Sequence, residues 1–255
     1  MEPLDIFTIW LTFFSICFTF LPLFVVMDWH KRGTAEGFSS LSYVLPLLMI
    51  FVVMDWHKRG TAEGFSSLSY VLPLLMMCCW FKHGIITQDK TNMFLNGVNL
   101  FFFSFYIAAF WFYQPKRKYL YGQLSAVGLM VAAIFQYVNK TPEEKQADLM
   151  GAIAAFTQIA SMAGGVYDLR RAIQLKTTEY IPAQIQFGFF ALTLQWTIFG
   201  FIVGNPYMMI ANAAGLALNI ATLSLYIIYP PKTWKVPIFG VGGGKELSDG
   251  EKKEK

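Results

Sequence analysis

Apolar residues in this chain gather in long blocks separated by short polar stretches, not in the one-face-per-turn rhythm of a soluble amphipathic helix. Blocks long enough to span a bilayer lie at 6–27, 66–87, 92–113, 119–138, 148–169, 180–203 and 206–229. Each is near the roughly 20 residues that cover a hydrocarbon core as a helix, where every backbone N–H and C=O must be satisfied within the segment. The pattern predicts an all-α membrane protein with seven transmembrane helices. The block at 119–138 is diluted at its start by Tyr119, Tyr121, Gln123 and Ser125.

A second pattern overlies the first. Thr61, Glu63, Trp80, Gly84 and Asn96 recur as Thr177, Glu179, Trp196, Gly200 and Asn212, at a constant offset of 116 residues. Each half therefore reads as a Thr-x-Glu loop, an apolar block with Trp, a Gly, and a second block with Asn near its start. One Trp and one amide per half suggest a site on a pseudo-twofold axis where two similar bundles meet. Gly84 and Gly200 read as helix C-terminal residues.

A third pattern is of another kind. Residues 24–49 and 51–76 are identical (FVVMDWHKRGTAEGFSSLSYVLPLLM), with Ile50 between them. Zero divergence points to a recent in-frame tandem duplication, an exon or gene-model artefact, or engineering, and not to an ancient structural repeat. The extra apolar piece, 41–54, would be about 21 Å long as a helix, short of the roughly 30 Å core. It is expected not to span, and to lie on the inner leaflet or against the first helix.

Composition agrees with a membrane protein: 55% hydrophobic, 17% aromatic and 14% charged over 255 residues, with mean hydropathy +0.45. No nucleic-acid partner is expected. The formal charge of +4 matters less than its placement. With the N-terminus outside and seven spans, sixteen Lys and Arg fall on inside segments and four (Lys82, Lys90, Lys140, Lys145) on outside ones, so the C-terminus is expected in the cytosol. Lys82 is expected to snorkel to the outer interface. Acidic Glu2 and Asp5, with no basic n-region, argue against a cleaved signal peptide. Asn139-Lys140-Thr141 is a glycosylation sequon in an outside loop. Cys17, Cys78 and Cys79 lack metal-ligand spacing and read as packing residues. No carboxylate lies mid-span, and His30, His57 and His83 sit at or beyond predicted helix ends, so no proton relay is expected. No nucleophile–base pair or metal set falls within the spans, which argues against an enzyme and against a cofactor.

Three stretches carry a family pattern: TAEGFSSLSYVLPLLMMCCWFKHG (61–84), VYDLRRAIQLKTTEYIP (166–182) and LQWTIFGFIVGNPYMMIANAAG (194–215). The chain resembles the SWEET sugar transporters of animal type over essentially residues 6–230. The resemblance implies two parallel three-helix bundles joined by a linker helix. The first bundle would be 1–114, containing the duplicated segment, the linker helix and its loops 115–144, the second bundle 145–229, and a disordered cytosolic tail 230–255. It implies a facilitative, bidirectional uniporter moving mono- or disaccharides by alternating access.

Carried over by position, the resemblance puts substrate-binding residues at Trp80, Asn96, Trp196 and Asn212. The family's hinge prolines fall on Pro22 and Pro182, with Ser69 and Gly165 standing at the other two. Gly165 offers comparable backbone freedom, whereas Ser69 does not break a helix and Pro73 one turn later can take over the bend. The implied partners are a sugar and the lipid bilayer, with a homo-oligomer left open. The implied location is the plasma membrane, with the Golgi as alternative.

The residue types suit a sugar. A pyranose has an apolar C–H face and a rim of hydroxyls; an amide supplies two donors and an acceptor without charge, and an indole supplies a flat apolar plane with one N–H. The rival readings are a non-transporting seven-helix cargo or sorting receptor and a signalling receptor. A peptide-binding site would call for buried charges, and the internal repeat argues against a signalling receptor.

Overall fold

The computed structural model describes residues 2–20, 53, 57, 60–62, 67–181 and 183–243. Pro22, Glu63, Pro182, the surplus stretch 41–54 except Val53, and residues 244–255 lie outside the described residues. Among the described residues the elements are α1 (Pro3–Phe20), α2 (Leu68–Thr87), α3 (Lys90–Tyr113), α4 (Lys118–Lys140), α5 (Glu143–Ser161), α6 (Ala163–Leu175), α7 (Ala183–Ile202) and α8 (Pro206–Ile228). α5 and α6 continue as one rod, Glu143–Leu175, so eight segments make seven rods among these residues. Five rods are long and apolar enough to cross a membrane, and Pro3–Cys17 and Val71–Thr87 are shorter apolar helices.

The apolar blocks locate these elements closely, except that the block at 148–169 understates its rod at both ends. Glu143 and Glu144 extend the first turn of α5, where carboxylates face the positive end of the helix dipole. At the other end α6 runs past the apolar block through Arg170 and Arg171. The polar start of α4 is explained by its partners. The Tyr121 hydroxyl accepts from Trp111 Nε1 at 2.7 Å, and Gln123 Oε1 accepts from Ser67 Oγ at 2.6 Å.

The 116-residue offset is built into the backbone. Between α2 and α3, Asp89 caps the next helix by accepting the Asn92 N–H at 3.0 Å; between α7 and α8, Asn205 accepts the Met208 N–H at 3.0 Å. Just before each cap, Gln88 and Gly204 take left-handed backbone at φ 57 and 68. In the same turns Asp89 N donates to Gly84 O at 2.9 Å and Asn205 N to Gly200 O at 2.8 Å. At the opposite end Ala62 N donates to Tyr113 O and Thr178 N to Tyr229 O, both at 3.0 Å. We call these the turn end and, for its Lys116, Arg117, Arg170 and Arg171, the basic end.

Gly84 and Gly200 lie in the last turns of their helices, which end at Thr87 and Ile202. What the glycine permits is close approach of the following helix. A Cβ on Gly200 would stand 2.8 Å from the Met209 backbone nitrogen, and one on Gly84 3.0 Å from Met93 Cγ.

Packing follows the same twofold plan. α2 lies against α3, α5 and α4; α8 lies against α7, α5 and α6; α1 lies against α7 and α3. The contacts α2–α5 and α7–α1 are thus counterparts, each joining the second helix of one half to the first helix of the other. Toward the turn end both halves share one core containing Leu11, Cys79, Trp80, Met150, Ala154, Phe199, Met208 and Ala211. Elsewhere the cores are separate. Phe103, Tyr106, Phe110 and Leu120 cluster in the first half with α4, and Ala172, Tyr180, Ile181 and Tyr226 in the second.

The segment after Tyr229 corrects the expectation of disorder over 230–243. The Glu179 carboxylate accepts from the backbone N–H groups of Lys232 and Thr233 and from the Thr233 hydroxyl, and Glu179 O accepts from Trp234 Nε1. Val236 is 1% exposed, Phe239 packs on Phe187 and Trp234 on Tyr226. The strap closes on itself through Val236 N to Val241 O at 2.8 Å, and Gly242 (φ 85) passes where a Cβ would stand 2.7 Å from Pro231 O. Its Pro and Gly content, read as disorder, instead makes a tight turn that delivers apolar side chains to the second half.

Candidate functional site

The four side chains proposed for substrate lie on α2, α3, α7 and α8, in or beside the shared core. Trp80 is 5% exposed and Trp196 packs partly buried against the same cluster. Each indole meets the residue three positions on, edge to face. Trp80 and His83 have ring centroids 5.5 Å apart at 86°, and Trp196 and Phe199 are 5.7 Å apart at 87°. Such tilted pairs fix the indole planes. Trp80 Nε1 is buried with no hydrogen-bond partner.

The two amides are also placed alike. Asn96 Nδ2 donates to Asn92 O at 3.0 Å, and Asn212 Nδ2 donates to Met208 O at 2.9 Å, each one turn back along its own helix. Each amide thereby commits a donor to its own helix, and its side-chain oxygen keeps its acceptor capacity.

Beyond that the halves diverge. Asn96 Nδ2 also donates to Asn92 Oδ1 at 2.6 Å, and Asn92 Nδ2 reaches Trp80 O at 3.3 Å, which ties the first amide to the first indole's helix. The second half has Met208 where the first has Asn92, and there Asn212 Oδ1 accepts from Gln158 Nε2 of α5 at 3.4 Å. Sequence reasoning missed Asn92 and Gln158 because it followed only residues kept in both halves. Asn92 precedes Asn96 by one helical turn, on the same face, a signal that was available.

His83 lies four residues before the end of α2 at Thr87, near the helix end as expected, and is nevertheless buried, at 2% exposure. A Cβ on Gly151 of α5 would stand 3.0 Å from His83 Nε2 and 2.4 Å from Tyr207 Cδ2, so α2, α5 and α8 meet there at the turn end. His83 Nδ1 has no hydrogen-bond partner. Lys82, its neighbour, sets its Nζ 5.7 Å from the Phe135 ring centroid.

Of the hinge candidates, Pro22 and Pro182 lie outside the described residues. Ser69 is in the first turn of α2, which continues unbroken through Pro73. Gly165 is in the first turn of α6, three residues beyond the break at Met162. The Ser161 hydroxyl bonds back to Gln158 O at 2.6 Å next to that break, a pattern that bends helices. Asn139 is exposed in the last turn of α4. Cys79 is buried and Cys78 half-buried. Among the described residues no group of three or more His, Cys, Asp or Glu could hold a metal ion.

The fold is that of a multi-pass helical membrane protein made of two related halves, each placing one Trp and one Asn of the repeat on successive helices. The family described as "Sugar efflux transporter for intercellular exchange" matches residues 47–118 and 148–234, and the chain belongs to it. It is 22% identical over 158 residues to sugar transporter SWEET1 of Drosophila pseudoobscura pseudoobscura, covering 61% of this chain and 70% of that one. It is 23% identical over 155 residues to SWEET1 of Mus musculus (60% and 70%), and 22% over 157 residues to the bidirectional sugar transporter SWEET12 of Oryza sativa subsp. japonica (59% and 52%). The solved structure of a eukaryotic SWEET transporter superposes with a TM-score of 0.69 at 19% identity, covering 88% of this chain and 98% of that one, a likeness of fold. The first matched stretch begins at residue 47 and so leaves α1 outside it.

Proposed function

We propose that the chain is a uniporter, carrying a neutral mono- or disaccharide in either direction down its gradient by alternating access. One observation carries the reading: Trp80 with Asn96 and Trp196 with Asn212 repeat in geometry as well as in sequence, on helices that meet at the core shared by the halves. The amides present acceptor oxygens and the indoles flat apolar faces, which fits a hydroxyl rim around a C–H face. A shared core toward the turn end and separate cores toward the basic end suit a carrier closed on one side. The hinge role falls to Pro22, Ser69, Gly165 and Pro182, with the two three-helix bundles, 1–114 and 145–229, moving about the linker helix. The basic end faces the cytosol, the turn end faces outside with Asn139 open to glycosylation, and the plasma membrane is the first location to examine.

The test is tracer uptake and efflux in cells that lack their own hexose carriers. Sugar should move both ways, and a protonophore should leave the plateau unchanged. Accumulation above the outside concentration that collapses with a protonophore would overturn uniport. A proton-linked reading is favoured by one observation, the burial of His83 between the halves. The same protonophore experiment decides between them.

A further inference from the structure

Four residues of the strap take left-handed backbone: Gly240 (φ 64), Gly242 (φ 85), Gly243 (φ 80) and Ile238 (φ 71). Glycine adopts that conformation freely, whereas a β-branched residue is strained in it. Ile238 is also 84% exposed, the most exposed large apolar side chain among the described residues, and it lies ten positions beyond the end of α8 at Ile228. In water a glycine would serve this turn better, so the isoleucine implies a contact outside the described chain. The strap's packing shows at what level that contact lies. Phe239 packs on Phe187, the fifth residue of α7, with ring centroids 5.3 Å apart, and Trp234 packs on Tyr226 in the last turn of α8 at 6.1 Å. The strap therefore folds back to where α7 begins and α8 ends, the level at which hydrocarbon gives way to headgroups. Charge at this level is of one sign. Residues 163–181 and 230–243 hold Arg170, Arg171, Lys176, Lys232 and Lys235 with two carboxylates, Asp168 and Glu179. Asp168 is buried and Glu179 is occupied by strap donors, while Arg170, Lys176, Lys232 and Lys235 are exposed.

We infer that the strap is an interfacial anchor that binds anionic lipid. Ile238, beside the exposed Pro237, inserts at the boundary of headgroups and acyl chains, and Lys232 and Lys235 pair with the negative headgroups around it. Insertion takes the apolar surface of Ile238 out of water and so offsets the cost of its backbone. The lysines lay their stems along the apolar surface and keep their ammonium groups among the headgroups. An apolar tip by itself would not distinguish one lipid from another; each Lys near an anionic surface strengthens binding about fivefold, which makes the contact selective. One isoleucine and one proline offer too little apolar area to hold a protein partner. The anchor ties the end of α8 to the bilayer and, through Glu179, the loop ahead of α7 as well. That the leaflet is the cytosolic one follows from the sidedness proposed above, whereas the lipid contact does not depend on it.

The test uses the purified full chain in nanodiscs of phosphatidylcholine, either alone or mixed three to one with phosphatidylserine. Both leaflets then have one composition, so the result is independent of sidedness and of sugar transport. Ile238→Cys, in a chain carrying Cys17→Ser, Cys78→Ser and Cys79→Ala, takes a nitroxide label, as does Glu144→Cys, an exposed position in the first turn of α5. Collisions of each label with oxygen and with a water-soluble nickel chelate are compared. With phosphatidylserine the oxygen-to-nickel ratio at 238 should exceed that at 144 by about fivefold or more, and omitting that lipid, or adding Lys232→Gln and Lys235→Gln, should bring the two within about twofold. Equal ratios at 238 and 144 in the anionic discs would overturn the anchor. A high ratio at 238 that is the same in phosphatidylcholine alone would overturn the assignment to anionic headgroups. A label at 238 reached by neither reagent would mean cover by protein, such as a second copy of the chain, and would overturn the lipid assignment. If the cysteine-substituted chain does not fold, chymotrypsin cleavage within 230–243 is compared for the parent and Ile238→Gly in the same discs. Ile238→Gly should be cut at least about threefold faster than the parent with phosphatidylserine and no faster without it, since the glycine relaxes the turn while losing the anchor. The same order of cleavage in both lipids would overturn the proposal.

Discussion

At the turn end Asp89 and Asn205 perform the same task, each closing a tight connection and capping the next helix at 3.0 Å. A helical turn inward the halves part company: His83 packs edge-on against Trp80 where Phe199 packs against Trp196, and Asn92 stands where the second half has Met208. At the basic end they part again, because the first half runs on into α4 whereas the second continues into a strap held by Glu179. Backbone closure tolerates few solutions, so it repeats. Interior side chains need only fit their neighbours, and the neighbours differ. The lesson is that a twofold scaffold here carries side chains that are paired in position without being symmetrical.

The comparison breaks most severely at the glycines. Gly200→Ala drives a Cβ onto the Met209 backbone, at 2.8 and 3.1 Å, which cannot yield without moving α8. Gly84→Ala meets the flexible Met93 side chain first, at 3.0 Å, although the Met93 backbone nitrogen follows at 3.2 Å. Overpacking of this kind costs about 1–3 kcal/mol. Gly200→Ala should therefore lower detergent-extracted folded yield and thermal midpoint more than Gly84→Ala does, and an equal loss would mean that the two turns respond alike.

A comparable effect is expected at the strap. Glu179→Ala removes three acceptor contacts of a charged group, at about 1.5–3 kcal/mol for a hydrogen bond to a charge. Limited proteolysis of the purified protein should then cut within 230–243 at least tenfold faster. Unchanged cleavage would show that the apolar contacts of Trp234, Val236 and Phe239 hold the strap alone.

Smaller changes sharpen the site comparison. Asn96→Ala and Asn212→Ala should each reduce sugar uptake at constant surface abundance, by about 0.5–1.5 kcal/mol per hydrogen bond lost. Parental rates in either variant would make that Asn a helix-packing residue and not a ligand. The smallest effect belongs to His83→Phe, which makes the two halves alike at this position and removes a buried nitrogen without a partner. Under uniport, uptake and its dependence on outside pH between 5 and 8 should stay within about twofold of the parent. A lost pH response would tie His83 to a proton.

Much of this was legible along the chain. Apolar block length marks the spans, because lipid leaves a helix no other way to satisfy its backbone. The 116-residue offset marks Trp80, Trp196, Asn96 and Asn212 as equivalent pairs, because an internal repeat preserves what both halves use. Only tertiary structure decided the rest. Whether Asn212 meets Gln158, whether His83 is buried against Gly151, and whether Asn92 links Trp80 to Asn96 depend on how each helix is rotated about its axis and which helix lies across from it. Gln158, His83, Gly151 and Asn92 have no matching residue at the repeat offset, so the repeat is silent about them. The strap shows the same limit from the other direction, since Pro and Gly in a polar tail read as disorder until Glu179, more than fifty residues earlier, is brought beside Lys232 and Thr233.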